Sequence, residues 1–167
     1  MNEIVGRKEE KVILERTLQT KEAELIAVYG RRRVGKTYLI RKTFVKQIIF
    51  EFSGVHSATL NDQLTNFRDT LADVMKASFP LAVPSSWIEA FQMLKNYAEP
   101  LLKKNKCVIF LDEFPWLSSA KSGFLPAFEF FWNSWGTKQN NLIFIICGSA
   151  ASWMIQKVVN KIGRAHV

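Results

Sequence analysis

Eight consecutive residues, Gly30-Arg31-Arg32-Arg33-Val34-Gly35-Lys36-Thr37, satisfy the pattern GxxxxGK[ST], and their flanks leave few folds open. Ahead of them Leu25-Ile26-Ala27-Val28-Tyr29 is an unbroken apolar run, which suits a parallel strand covered on both faces. Behind them Tyr38-Leu39-Ile40-Arg41-Lys42-Thr43-Phe44 carries apolar residues at helical spacing. A strand that turns through a glycine loop into a helix makes a cradle for phosphate. Backbone N–H groups point inward, and the helix N-terminus adds partial positive charge. In such a cradle Lys36 is assigned to the β- and γ-phosphates of a nucleotide and Thr37 to a Mg²⁺ ion. Gly30, Arg31, Arg32, Arg33, Val34, Gly35 and Tyr38 are expected to complete the nucleotide contacts.

A second motif follows in the order this chemistry requires. Cys107-Val108-Ile109-Phe110-Leu111 is another apolar run, and it ends in Asp112-Glu113. Two carboxylates closing a strand buried on both faces are costly unless they act at the strand's C-terminal edge. Beside a bound nucleotide, an aspartate there completes Mg²⁺ coordination through water, and a glutamate can orient and deprotonate the attacking water. Asp112 is therefore assigned to the metal and Glu113 to the general base. A third run, Leu142-Ile143-Phe144-Ile145-Ile146-Cys147, precedes Gly148-Ser149-Ala150-Ala151-Ser152. Ser149, or less directly Ser152, could sense the γ-phosphate or hold the lytic water. Equally, Ser149 could cap the helix that begins near Ala151.

These residues carry a family resemblance. GRRRVGKT, Val108–Leu117 (VIFLDEFPWL) and Ile146–Met154 (ICGSAASWM) together resemble the archaeal-type AAA ATPases of prokaryotes, a branch of the P-loop AAA+/STAND group. Val5-Gly6-Arg7-Lys8-Glu9-Glu10 is similar to the "GRE.E" segment that precedes the phosphate loop in that group. The resemblance spans about residues 4 to 160. It implies an ATP-hydrolysing core with an extra strand between the one bearing the phosphate loop and the one bearing Asp-Glu. It also implies Gly6 and Arg7 near the adenine, with Lys36, Thr37, Asp112, Glu113 and Ser149 along the phosphates. Members of the group continue into a fifth strand, a helical lid and usually another domain. The expectation is thus a truncated core over 1–160, with 161–167 a non-native tail and any homo-oligomer or protein partner engaged through the missing C-terminal region.

The rest of the chain fits an α/β sandwich of three layers. Charged positions around Val12, Ile13, Leu14 and Leu18 predict an amphipathic helix over 9–19, and Gln47–Phe52 reads as a second strand. Helical spacing predicts a helix over 59–77, capped by Thr59 or Asn61. Another runs from Ser86 until Pro100 or the lysine run ends it, and two more cover about 125–135 and 150–159. Four parallel strands with helices between them follow from that alternation. Phe128, Phe131, Trp132 and Trp135 share one helix face, read as core rather than as a partner-binding ridge. Phe114, Pro115 and Trp116 are also read as packing residues, although their place after the carboxylates would let one couple nucleotide state to a loop.

Composition narrows the function. Formal net charge is +8, but residues 51–100 are net acidic and part of the excess lies in the phosphate loop itself. Nucleic-acid binding is thus possible, yet no binding module supports it. No apolar stretch reaches membrane-spanning length and the N-terminus lacks a signal-peptide pattern, so the cytoplasm is the expected compartment. Cys107 and Cys147 read as reduced core thiols, and His56 and His166 have no neighbouring ligand pattern. ATP and Mg²⁺ are the expected ligands. An ATPase coupled to conformational change is the first reading, and an ATP-dependent switch without significant turnover is the second; Glu113 favours the first. A GTPase is disfavoured because Asn160-Lys161-Ile162-Gly163 lacks the aspartate of the guanine motif. A small-molecule kinase is disfavoured by the Asp-Glu pair and by the resemblance.

Overall fold

The apolar runs become four parallel strands: β1 (Glu24–Tyr29), β2 (Ile48–Ser53), β3 (Cys107–Asp112) and β4 (Leu142–Gly148). The computed structural model describes residues 8–30 and 35–162. Gly6, Arg7, Arg31, Arg32, Arg33, Val34 and the segment 163–167 lie outside the described residues. The sheet order is β1-β4-β3-β2, so β4 lies between the strand that leads into the phosphate loop and the strand that ends in Asp112. That is the extra strand the resemblance implied.

Strand residues alternate between two cores. Ile26, Val28, Val108, Phe110, Ile143 and Ile145 face Leu14 of α1 (Lys8–Arg16) together with Leu39 and Ile40 of α2 (Lys36–Thr43). Leu25, Ala27, Ile109, Leu111, Phe144 and Ile146 face a larger cluster on the other side. It is built from α3 (Leu60–Met75), α4 (Trp87–Leu102) and α6 (Phe124–Ser134), the sixth helix in chain order. Helices on both faces of a parallel sheet explain why its strands read as continuous apolar runs rather than alternating ones.

Local chemistry sets the helix starts. Thr59 caps α3 by accepting from the Asp62 N–H at 3.1 Å, and Ser86 caps α4 by accepting from Glu89 at 3.2 Å. Helix α4 passes through Pro100 and ends only at the lysine run, with Lys103 as its C-cap. A proline in the last turn removes one N–H bond, yet packing of Ala98 and Leu102 holds that turn on the core. The predicted C-terminal helix is three pieces: α7 (Ala151–Met154), a π-helical stretch (Ile155–Val159) and α8 (Asn160–Ile162). Met154 and Val158 are buried in the larger cluster and Ile162 packs against it. The one-turn helix α5 (Phe114–Leu117) and a 3-10 turn (Gly136–Lys138) were not anticipated, because a single turn has no periodicity to read.

Aromatic side chains dominate the larger face. Phe128 lies 5.1 Å from Phe114, 5.3 Å from Phe144 and 6.0 Å from Phe91, centroid to centroid. Phe128, Phe131, Trp132 and Trp135 are all buried, so this helix face is core; Phe130, on the opposite side, is the exposed aromatic of α6. Phe128→Ala should therefore lower stability by about 3–5 kcal/mol, read as a lower midpoint in urea. A midpoint unchanged from wild type would contradict this packing.

Both cysteines are strand residues of the core, and burial pushes each thiol above its ordinary range. A raised pKa means less thiolate at pH 8. Iodoacetamide should thus label the folded chain at least about tenfold more slowly than the unfolded chain. Rapid labelling under native conditions would contradict the burial.

Candidate active site

The C-terminal edge of the sheet carries the site, as it does where parallel strands feed helices. Chain leaving β1 at Gly30 enters α2 after Gly35, whose φ of 81° and ψ of 20° lie in the left-handed region. Glycine adopts that conformation without steric cost, and it turns the backbone so that α2 starts at the sheet edge. The first N–H groups of any helix have no acceptor within it, and its dipole favours an anion there. Gly35, Lys36, Thr37 and Tyr38 line a cleft of about 310 Å³ at this helix end.

Lys36 is a buried cation, with 8% of its surface exposed, and its Nζ donates to the Gly30 carbonyl at 3.0 Å. The bond offsets desolvation of the ammonium. Opposite it, β3 delivers Asp112 and Glu113 to the same cleft. Thr37 Oγ1 donates to Asp112 Oδ2 at 2.8 Å, and the Glu113 N–H donates to Asp112 Oδ1 at 2.8 Å. Both carboxylate oxygens are thereby oriented, although Asp112 comes 75 residues after Thr37.

Glu113 itself sits at φ 48° and ψ 45°, an uncommon setting for a residue with a side chain. Such backbone costs on the order of 1–3 kcal/mol and persists where its surroundings enforce it. Here it ends β3 and starts α5 in one step. Cys147 of β4 lies below Asp112. Its thiol is raised first by burial and then by the charge of Asp112, with a hydrogen bond between the two adding to the effect. The thiol therefore stays protonated beside the carboxylate and is no thiolate ligand.

The donor set fits Mg²⁺ better than a transition metal. Thr37 Oγ1 and Asp112 Oδ2 are hard oxygens in contact, and Mg²⁺ takes one or two protein oxygens while keeping waters and phosphate oxygens. Among the described residues no group of three His, Cys, Asp or Glu could hold a metal ion.

Of the predicted site residues, Gly35, Lys36, Thr37, Tyr38, Asp112, Glu113 and Ser149 meet around the cleft, and Gly30 joins through its carbonyl. Gly6, Arg7, Arg31, Arg32, Arg33 and Val34 belong to the undescribed segments. Helix α7 starts after Ala150, and Ser149 lines the cleft just ahead of it; Ser152 is exposed. Trp116, half-buried and packed against the His56 ring, lines the cleft as well, whereas Phe114 is core.

An uncharacterized protein of Methanocaldococcus jannaschii is 29% identical over 156 residues, 93% of this chain and 32% of that protein. An uncharacterized ATP-binding protein of the same organism is 60% identical over 38 residues, 23% of this chain and 64% of that protein. The chain thus spans about a third of the length of the first relative. Among solved structures, the Walker-type ATPase of Pyrococcus abyssi superposes with a TM-score of 0.63 at 20% identity, covering 95% of this chain and 49% of that one. The ORC2 protein of Aeropyrum pernix, solved in ADPNP–ADP complexes, gives 0.61 at 18% identity, covering 95% and 45%. These likenesses establish the P-loop fold. No described helix is long and apolar enough to cross a membrane. With residues 4–166 matching its pattern, the chain belongs to the family described as an ATPase domain predominantly from Archaea.

Proposed function

We propose that this domain binds ATP with Mg²⁺ and hydrolyses it, coupling turnover to a change of conformation. The observation that carries the reading is the joining of the phosphate-loop helix to the Asp-Glu strand by the 2.8 Å bond from Thr37 to Asp112, in one cleft with Lys36, Glu113 and Ser149. Lys36 binds the β- and γ-phosphates as a point charge, and the N-terminus of α2 adds backbone donors and dipole. Thr37 and Asp112 hold Mg²⁺, which when bound neutralises charge on the phosphate oxygens. Glu113 orients a water and takes its proton as the water attacks the γ-phosphate. Ser149, at the end of the neighbouring strand, contacts the γ-phosphate or that water. A glutamate in the cleft favours turnover over a pure occupancy switch, because binding alone needs no base. The undescribed Gly6 and Arg7 are proposed beside the adenine, and Arg31, Arg32, Arg33 and Val34 along the phosphate loop.

Two substitutions separate binding from chemistry. Lys36→Ala should raise the Kd for ATP-Mg²⁺ at least about tenfold, since a hydrogen bond to a charged group contributes about 1.5–3 kcal/mol. Isothermal titration calorimetry measures it, and affinity within threefold of wild type would sink the phosphate-loop assignment. Glu113→Gln should leave that Kd nearly unchanged and lower kcat by about 10²-fold or more, the range for losing a general base. Phosphate release under saturating ATP reads the effect; an unaltered kcat would move Glu113 out of the base role.

A further inference from the structure

Gln63, in the first turn of α3, is 1% exposed, and this is where an amphipathic helix normally carries a solvated polar residue. Its carboxamide is engaged on both sides. Oε1 accepts from the Val55 N–H at 3.2 Å, and Nε2 donates to the Val55 carbonyl at 2.8 Å and to the Trp116 carbonyl at 3.3 Å. The pairing with Val55 fixes which end is which, because a flipped amide would set donor against donor and acceptor against acceptor. One buried side chain therefore ties the loop after β2 to the C-terminal end of α5.

The same two segments meet closer to the carboxylates. The Gly54 N–H donates to the Asp112 carbonyl at 3.0 Å, and a Cβ at Gly54 would lie 2.7 Å from the Glu113 carbonyl oxygen. That oxygen in turn accepts from the Trp116 N–H at 3.0 Å, closing the α5 turn. On the outer side the ring of His56 meets the Trp116 indole edge-on at 5.2 Å. Glu113, which starts the turn in a left-handed conformation, is thus braced through Trp116 by residues 54–63. Its backbone setting is not one an unrestrained glutamate prefers, so a brace is physically required.

We propose that Gln63 is a positioning residue for Glu113: its buried carboxamide locks the turn bearing Glu113 to the β2–α3 loop, so the carboxylate's placement follows that loop. The proposal rests on Glu113 being the general base. It makes the exposed residues Val55, His56 and Ser57 a point from which contact with the domain surface reaches the cleft without touching nucleotide. A misplacement of about 1 Å at a reacting group costs up to about 10²-fold in rate while leaving ground-state binding intact.

The test uses Gln63→Met, close in length but without hydrogen bonds, and Gln63→Glu, which keeps the acceptor for Val55 and loses both donors. ATP-Mg²⁺ affinity, kcat and backbone amide exchange are measured for each against wild type. Expected are a Kd within threefold, a kcat lowered about tenfold or more, and exchange over 114–118 accelerated about tenfold while β1 and β4 stay protected. An unchanged kcat in a folded variant of a wild type that turns over, or unchanged exchange over 114–118, would overturn the proposal. So would collapse of both variants by circular dichroism, which would make Gln63 a global determinant. If wild type hydrolyses no ATP, the hydrolysis reading fails and so does the kinetic role given to Gln63. Accelerated exchange over 114–118 would then still establish the structural lock.

Discussion

Parallel pairing of β4 with both β1 and β3 is the constraint from which the site follows. It sets the strand before Gly30 and the strand before Glu113 two places apart, about 10 Å at the usual strand spacing. Across that interval a helix N-terminus and a carboxylate can face each other around a polyphosphate, with room for a strand end between them. The Thr37–Asp112 bond spans the gap, and β4 ends at Gly148, directly before Ser149 of the cleft. With β4 between them, the chain leaving three adjacent strands supplies the cation, the carboxylates and a hydroxyl.

The two faces of the sheet divide the work of stability and positioning. The larger face is a continuous aromatic cluster running from Phe52 and Phe67 through Trp87 to Phe124, Phe128 and Phe144. Edge-to-face pairs of this kind add specificity of packing to their buried area. Phe114 enters that cluster one residue after Glu113, so the turn bearing the candidate base is anchored directly in the core. The smaller face, with α1 and α2, carries few aromatics and holds the helix that follows Gly35. Polar elements of the site are therefore mounted at strand ends and at the start of α2, and unfavourable local features such as the buried Lys36 and left-handed Glu113 are sustained by packing elsewhere.

Much of the architecture was legible beforehand, for a physical reason. A strand covered on both faces must be apolar throughout, so β1, β3 and β4 announced themselves as runs, and Gly35, Lys36 and Thr37 fell where a strand hands over to a helix. Caps at Thr59 and Ser86 were legible because a side-chain oxygen beside a helix start has a local partner. Trp116 and Gln63 were not. A one-turn helix leaves no period, and a glutamine in the first turn of an amphipathic helix resembles a solvated residue until its carbonyl partners are known.

By itself the amino-acid sequence determined the element types, the phosphate loop and the placement of two carboxylates at a strand end, since each depends on residues close together in the chain. Only the tertiary structure decided the hydrogen bond from Thr37 to Asp112, the place of Ser149 at the cleft and the bracing of Trp116 by Gln63. Those depend on which distant segments are pressed together. Apolar burial drives that choice without regard to sequence separation, and polar partners across the interface are settled only once the faces have met.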